Sequence, residues 1–88
     1  MDKIDRNALE AALARARLQR RLPCPELRRY LREGAGISQT DLARVLSVDR
    51  ASVSRWESGT RRPGPGLLGK YLDVLDQLAR ARGTEAAP

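Results

Sequence analysis

Apolar positions recur at helical spacing along most of the chain. Over residues 5–22 they fall on two ridges when wound at about 100° per residue. Ile4, Ala8, Ala11, Leu18 and Leu22 form one ridge; Leu9, Leu13 and Ala16 form the other. Arg6, Glu10, Arg17 and Arg21 lie opposite, and neither Gly nor Pro interrupts the segment, so a helix is predicted there. Two ridges fit one broad buried face, or one ridge for the chain's own domain and one for a partner. Pro23 and Pro25 flank Cys24 and end this helix, because neither proline can donate a backbone hydrogen bond.

Pro25 suits the first position of a second helix, which runs to about Glu33 and stops at Gly34, Ala35 and Gly36. Ser38 with Asp41 three residues on is a capping-box pattern, with Ile37 as a hydrophobic staple, and opens a third helix over residues 39–46. After a turn at Ser47 and Val48, Asp49 caps a fourth helix over residues 50–58, and Gly59 closes it. The clearest periodicity comes last. Leu67, Leu68, Tyr71, Leu72, Val74, Leu75, Leu78 and Ala79 cover one half of a helix over residues 66–80. Lys70, Asp73, Asp76, Gln77 and Arg80 cover the other half. Residues 83–88 are expected to be a disordered tail. No strand pattern or repeat is present, so the expected class is all-α, a compact bundle of about five helices.

Composition agrees. Eighty-eight residues hold one small domain, and Leu and Ala supply most of a 41% hydrophobic content with no Phe, which suits packed helices better than a β-sandwich. Without His and with a single Cys, the chain cannot supply a Cys/His zinc site, a Ser–His–Asp triad or an internal disulfide. No acid–base or metal constellation is present, so no enzyme activity, cofactor or metal is expected. No apolar run approaches the roughly 20 residues that cross a bilayer. Arg breaks every apolar stretch near the start, so no signal peptide and a reduced, cytoplasmic setting are expected. Fifteen Arg stand against two Lys, which fits a G+C-rich coding sequence and a bacterial or phage source. The net charge of +6 and a pI near 10.7 point to a polyanionic partner.

Residues 39–58 hold two short helices joined by a three- or four-residue turn, the spacing of a helix-turn-helix. Leu42, Ala43 and Leu46 face Val53 and Trp56, with Val48 plugging the turn. Arg50, Ala51, Ser54, Arg55 and Ser58 remain as one exposed stripe on the fourth helix. A helix of that width fits the major groove of B-DNA, where Arg reaches the O6 and N7 of guanine.

Residues 31–68 resemble the lambda-repressor-like helix-turn-helix, the Cro or XRE family. The matching features are Ser38 and Gln39, then Asp41, Leu42 and Ala43, then the run from Val53 to Gly59, and finally Arg61, Arg62 and Pro63. The resemblance implies a sequence-specific regulator of transcription that binds double-stranded DNA. Arg50, Ala51, Ser54 and Arg55 would reach base edges, with Ala51 against a thymine methyl. Gln39, Thr40, Ser52, Arg61 and Arg62 would contact phosphates. Arg32 and Glu57 match a pair that forms a structural salt bridge in some members. The chain departs from the family pattern in three places. Ser47 stands where Gly is usual, one long helix replaces two short ones, and the N-terminal helix lies outside the minimal unit.

Residues 1–22 are therefore an N-terminal helical extension and residues 23–82 the helix-turn-helix domain with its long last helix. With no effector domain, the simplest mechanism is repression by operator occupancy. Useful specificity asks for a homodimer on two half-sites, through Leu75, Leu78 and Ala79 or through a ridge of the first helix. Alternatives are an antitoxin that autoregulates its operon, with a protein partner on the first or last helix, and a protein-interaction module that keeps the fold. Some features read more plainly. Trp56 and both Tyr are packing residues, and Cys24 is a small apolar residue. Arg15, Arg17, Arg20, Arg21, Arg28 and Arg29 form a solvated face or supplementary phosphate contacts. Gly64, Gly66 and Gly69 match GxGxxG, but no strand precedes them, so a dinucleotide site is rejected. Gly69 instead suggests a close helix approach, and Asp73 and Asp76 suggest surface pairs with Lys70 and Arg80.

Overall fold

Three of the helices begin where a side chain satisfies a free amide. The computed structural model describes the backbone of residues 3–86 and the side chains of residues 3–81. Five helices and no strand occupy the described residues: α1 Arg6–Arg21, α2 Pro25–Gly34, α3 Gln39–Leu46, α4 Arg50–Ser58 and α5 Pro65–Ala86. The Asp5 carboxylate accepts from the Ala8 amide at 3.0 Å to open α1. At α3 the capping box is complete. The Ser38 hydroxyl accepts from the Asp41 amide, and Asp41 accepts from the Ser38 amide, both at 3.0 Å. Asp49 opens α4 by accepting from the Ser52 amide at 2.9 Å. Gly59, at φ +78°, closes α4 in the left-handed conformation that glycine adopts without strain.

The core is where α3, α4 and α5 meet. Leu42, Ala43, Leu46, Val53, Trp56, Tyr71, Leu75 and Leu78 form one buried cluster, with Val48 packed against it from the turn. The Trp56 and Tyr71 rings meet at a centroid distance of 5.1 Å and a tilt of 38°. Leu75 and Leu78 are thus spent on the chain's own core and are not open to a second copy. Of the C-terminal stripe expected at a dimer contact, only Ala79 remains exposed.

Cys24 stands at the approach to α2, as its exposed N-cap. Three other expectations change. Tyr30 is 51% exposed and lies outside the buried core. Gly69 lies on the open face of α5, where an added Cβ would meet nothing within 4 Å, so no close helix approach requires it. The last helix also runs on to Ala86, through residues 83–86 of the expected tail, because Gly83 lowers helix propensity without blocking a hydrogen bond. Residues 87 and 88 lie outside the described residues. Asp76 does pair with Arg80, at 3.0 Å.

Neither ridge of α1 is buried as a whole, and no residue of α1 is fully buried. Ala16, Leu18 and Leu22, near its end, are half-buried, whereas Ile4, Leu9 and Leu13 are exposed. Only this last part leans on the rest of the molecule. The structure measures 62 × 30 × 20 Å, with a radius of gyration of 15.6 Å. A compact chain of this length would have a radius near 12 Å. Among the described residues, no helix is long and apolar enough to cross a membrane.

Candidate nucleic-acid interface

One face of α4 is anchored and the other is open. Val53, Trp56 and Glu57 are buried, which fixes the rotation of the helix about its axis. Arg50, Ala51, Arg55 and Ser58 are then exposed and Ser54 half-exposed, as the stripe pattern requires.

A buried polar network sets how α4 sits on its neighbours. Arg32, at the end of α2, donates from Nε to Oε2 of Glu57 at 2.7 Å and from Nη2 to Oε1 at 2.9 Å. Its Nη1 donates to the Ile37 carbonyl at 2.8 Å. Gln39, the first residue of α3, donates from Nε2 to Glu57 Oε1 at 3.1 Å. Three helices are thereby held at one carboxylate. Burial alone would push the Glu57 carboxyl up. The hydrogen bonds from Arg32 and Gln39, with the charges of Arg32 and Arg29, outweigh it and hold the carboxyl below its ordinary value. Glu57 in turn raises the Arg32 guanidinium further.

The remaining sequence-picked residues fall into two groups around α4. Gln39, Ser54 and Ser58 share a shallow groove with Arg29 and Glu57 beside the α3 N-terminus. Thr40 is exposed one residue on. At the other end, the Thr60 and Arg61 amides both donate to the Arg55 carbonyl, at 3.0 and 3.2 Å, and turn the chain so that Arg61 and Arg62 are exposed. Ser52 is half-exposed, and its hydroxyl donates to Asp49 at 2.6 Å. That bond, followed by the one from the Ser52 amide, holds the Asp49 carboxyl below its ordinary value. The Asp41 carboxyl is held down in the same way, by the Ser38 amide first and the Ser38 hydroxyl second. One or more hydrogens of Ser52 and Gln39 are therefore engaged in holding helices. The second Gln39 amide hydrogen and the Ser52 oxygen lone pairs stay available.

Arg28 departs from the solvated face that is one of the two readings of its arginine group: it is only 6% exposed. Its guanidinium carbon stands 5.7 Å from the centroid of the Tyr71 ring. The available signal was spacing: Arg28 precedes Arg32 by one helical turn, so a buried Arg32 carries Arg28 inward with it.

Comparison with known proteins gives the same family as the geometry. A family model described as helix-turn-helix matches residues 29–79, from within α2 to Ala79 of α5. Over 46 residues the chain is 44% identical to an uncharacterized HTH-type transcriptional regulator of Archaeoglobus fulgidus. That stretch is 52% of this chain and 20% of the relative, so the chain spans about a fifth of that protein's length. No solved structure gives a significant match. The family model covers more than half of the chain, and α3 and α4 both lie inside the matched residues; the chain belongs to the Cro/XRE-type helix-turn-helix family.

Proposed function

We propose that this chain is a sequence-specific regulator of transcription that binds double-stranded DNA and represses by occupying an operator as a homodimer. The observation that carries the reading is the open stripe on α4, presented by a helix whose other face is locked into the core and onto Arg32. In this reading α4 lies in the major groove. Arg50, near its start, and Arg55 make bidentate contacts to guanine, Ser54 reaches a base edge, and Ala51 packs on a thymine methyl. Gln39, Thr40, Ser52, Arg61 and Arg62 hold the backbone on either side, with Gln39 beside the positive end of α3. Cytoplasmic location follows from this role.

One motif reads few base pairs, so two half-sites roughly 34 Å apart are needed for useful specificity. With Leu75 and Leu78 buried, the second copy is placed on α1, whose Leu9 and Leu13 are exposed. The same ridge supports a second reading, an antitoxin that autoregulates its operon and holds a toxin on α1. A protein-interaction module that does not read DNA would leave the arginines of α4 unused.

Selection of bound fragments from random duplex DNA, beside an Arg50→Ala/Arg55→Ala variant, tests the proposal. A two-fold-symmetric motif that the variant loses is the expected result. Equal binding by both proteins, with no motif, would sink it. A motif without symmetry removes the dimer alone.

A further inference from the structure

We propose that the groove between the end of α1, the start of α2 and the turn after α4 is a second phosphate site, which takes a DNA backbone phosphate with Arg28 as its inner ligand. The proposal rests on the DNA-binding reading above and extends it to α1 and α2. Its volume is about 390 Å³, and Arg20, Arg28, Arg61 and Arg62 line it with no carboxylate among its walls.

Three independent observations point to an anion. First, the buried Arg28 Nε and Nη1 have no hydrogen-bond partner. A buried guanidinium normally has its donors satisfied; this one lies beside Tyr71, whose ring centroid is 5.7 Å away and whose buried hydroxyl is likewise without a partner. Second, the groove takes in the start of α2, whose N-cap Cys24 makes no side-chain cap bond and whose first residue, Pro25, has no amide hydrogen. The first-turn amides therefore have no side-chain cap, and the one acidic residue of that turn, Glu26, stands outside the groove lining. Third, the remaining walls bring exposed cations from two other segments, Arg20 from α1 and Arg61 and Arg62 from the turn after α4. A tetrahedral oxyanion matches this donor set, because a guanidinium fork and helix amides both present N–H groups to phosphate oxygens.

DNA is favoured as the source by continuity. Arg61 and Arg62 belong at once to this groove and to the turn that follows the exposed stripe of α4. A strand held by that turn therefore passes the mouth of the groove. The arginine supply of α1, outside the helix-turn-helix unit, then acquires a purpose.

The test uses the full chain, an Arg28→Met variant and an Arg20→Ala variant. Binding to duplex DNA is followed by anisotropy from about 50 to 200 mM salt, with thermal melts run alongside in inorganic phosphate and in chloride at matched ionic strength. Either variant is expected to lower the slope of log K against log salt by about 1 and to weaken binding several-fold, with base preference unchanged. Phosphate is expected to raise the melting midpoint of the wild type more than that of Arg28→Met. Wild-type slopes in both variants would overturn the site and leave the DNA reading standing. An Arg28-dependent phosphate effect in a chain that binds no DNA would overturn DNA as the source. Arg20→Ala lies on the surface, so its slope reads the groove even if Arg28→Met folds poorly.

Discussion

The Arg32 guanidinium forks onto the Glu57 carboxylate, at 2.7 and 2.9 Å, and so ties the end of α2 to the last turn of α4. Both side chains are nearly fully buried. Removing one partner leaves the other as an uncompensated buried group. Glu57→Gln is therefore expected to cost about 3 kcal/mol in urea unfolding, whereas Arg32→Met with Glu57→Leu recovers most of the loss. A double variant no more stable than Glu57→Gln would show that the pair acts through α4 placement and not through its charge.

The same carboxylate makes stability depend on pH. Glu57 has a folded-state pKa below its unfolded value, so protonation favours the unfolded chain. Its contribution is complete above the ordinary carboxylate range near pH 4 and is lost as pH falls through the lower folded value. Asp41 and Asp49 act with the same sign at the starts of α3 and α4. The urea midpoint is expected to fall steadily on acidification from about pH 5, and less steeply in Glu57→Gln. An unchanged slope in that variant would place the titration elsewhere.

Ser47 sits at φ 56°, ψ 43°, the one non-glycine residue in the left-handed region among those described. The turn between α3 and α4 needs this conformation, and a side chain there costs about 1 kcal/mol. Ser47→Gly is expected to raise stability by about that amount, read from the shift in urea midpoint at constant m-value. A loss instead would mean that the Ser hydroxyl supports the turn.

Gly69 is the mirror case. It lies inside α5 with open space around it, so Ala fits without a clash. Gly69→Ala is expected to stabilise by about 1 kcal/mol through better helix propensity. Thermal unfolding checks it, and a lower midpoint would reveal an unseen contact on that face.

Much of this architecture was legible in the residues because it is governed locally. Ser38 and Asp41, Asp49 and Gly59 each fix a helix end by chemistry that acts within a few residues, and all four hold in the structure. Positions set by packing between helices were less legible. Leu75 and Leu78 are apolar whether they face a partner or the chain's own core, and only the placement of α3 and α4 decides. Tyr30 and Arg28 exchange their expected places because Arg32, fixed on Glu57, sets the rotation of α2. A wheel drawn for α2 alone lacks that constraint. The base- and phosphate-reading roles rest on family likeness, and the structure adds to them the engagement of Gln39 and Ser52 in holding helices.

α1 has sixteen residues and none fully buried, so tertiary packing supports only its last turns. An isolated helix of that length is marginal in water even when rich in alanine. Its winding is therefore its own equilibrium, coupled to the melting of the bundle through its last turns, where Ala16, Leu18 and Leu22 are half-buried. Amide hydrogens near Arg6 should exchange with solvent far faster than those of α3, and heat should unravel α1 from that end before the bundle gives way. Whatever seats itself along α1 must supply the chain entropy that this helix has not yet surrendered.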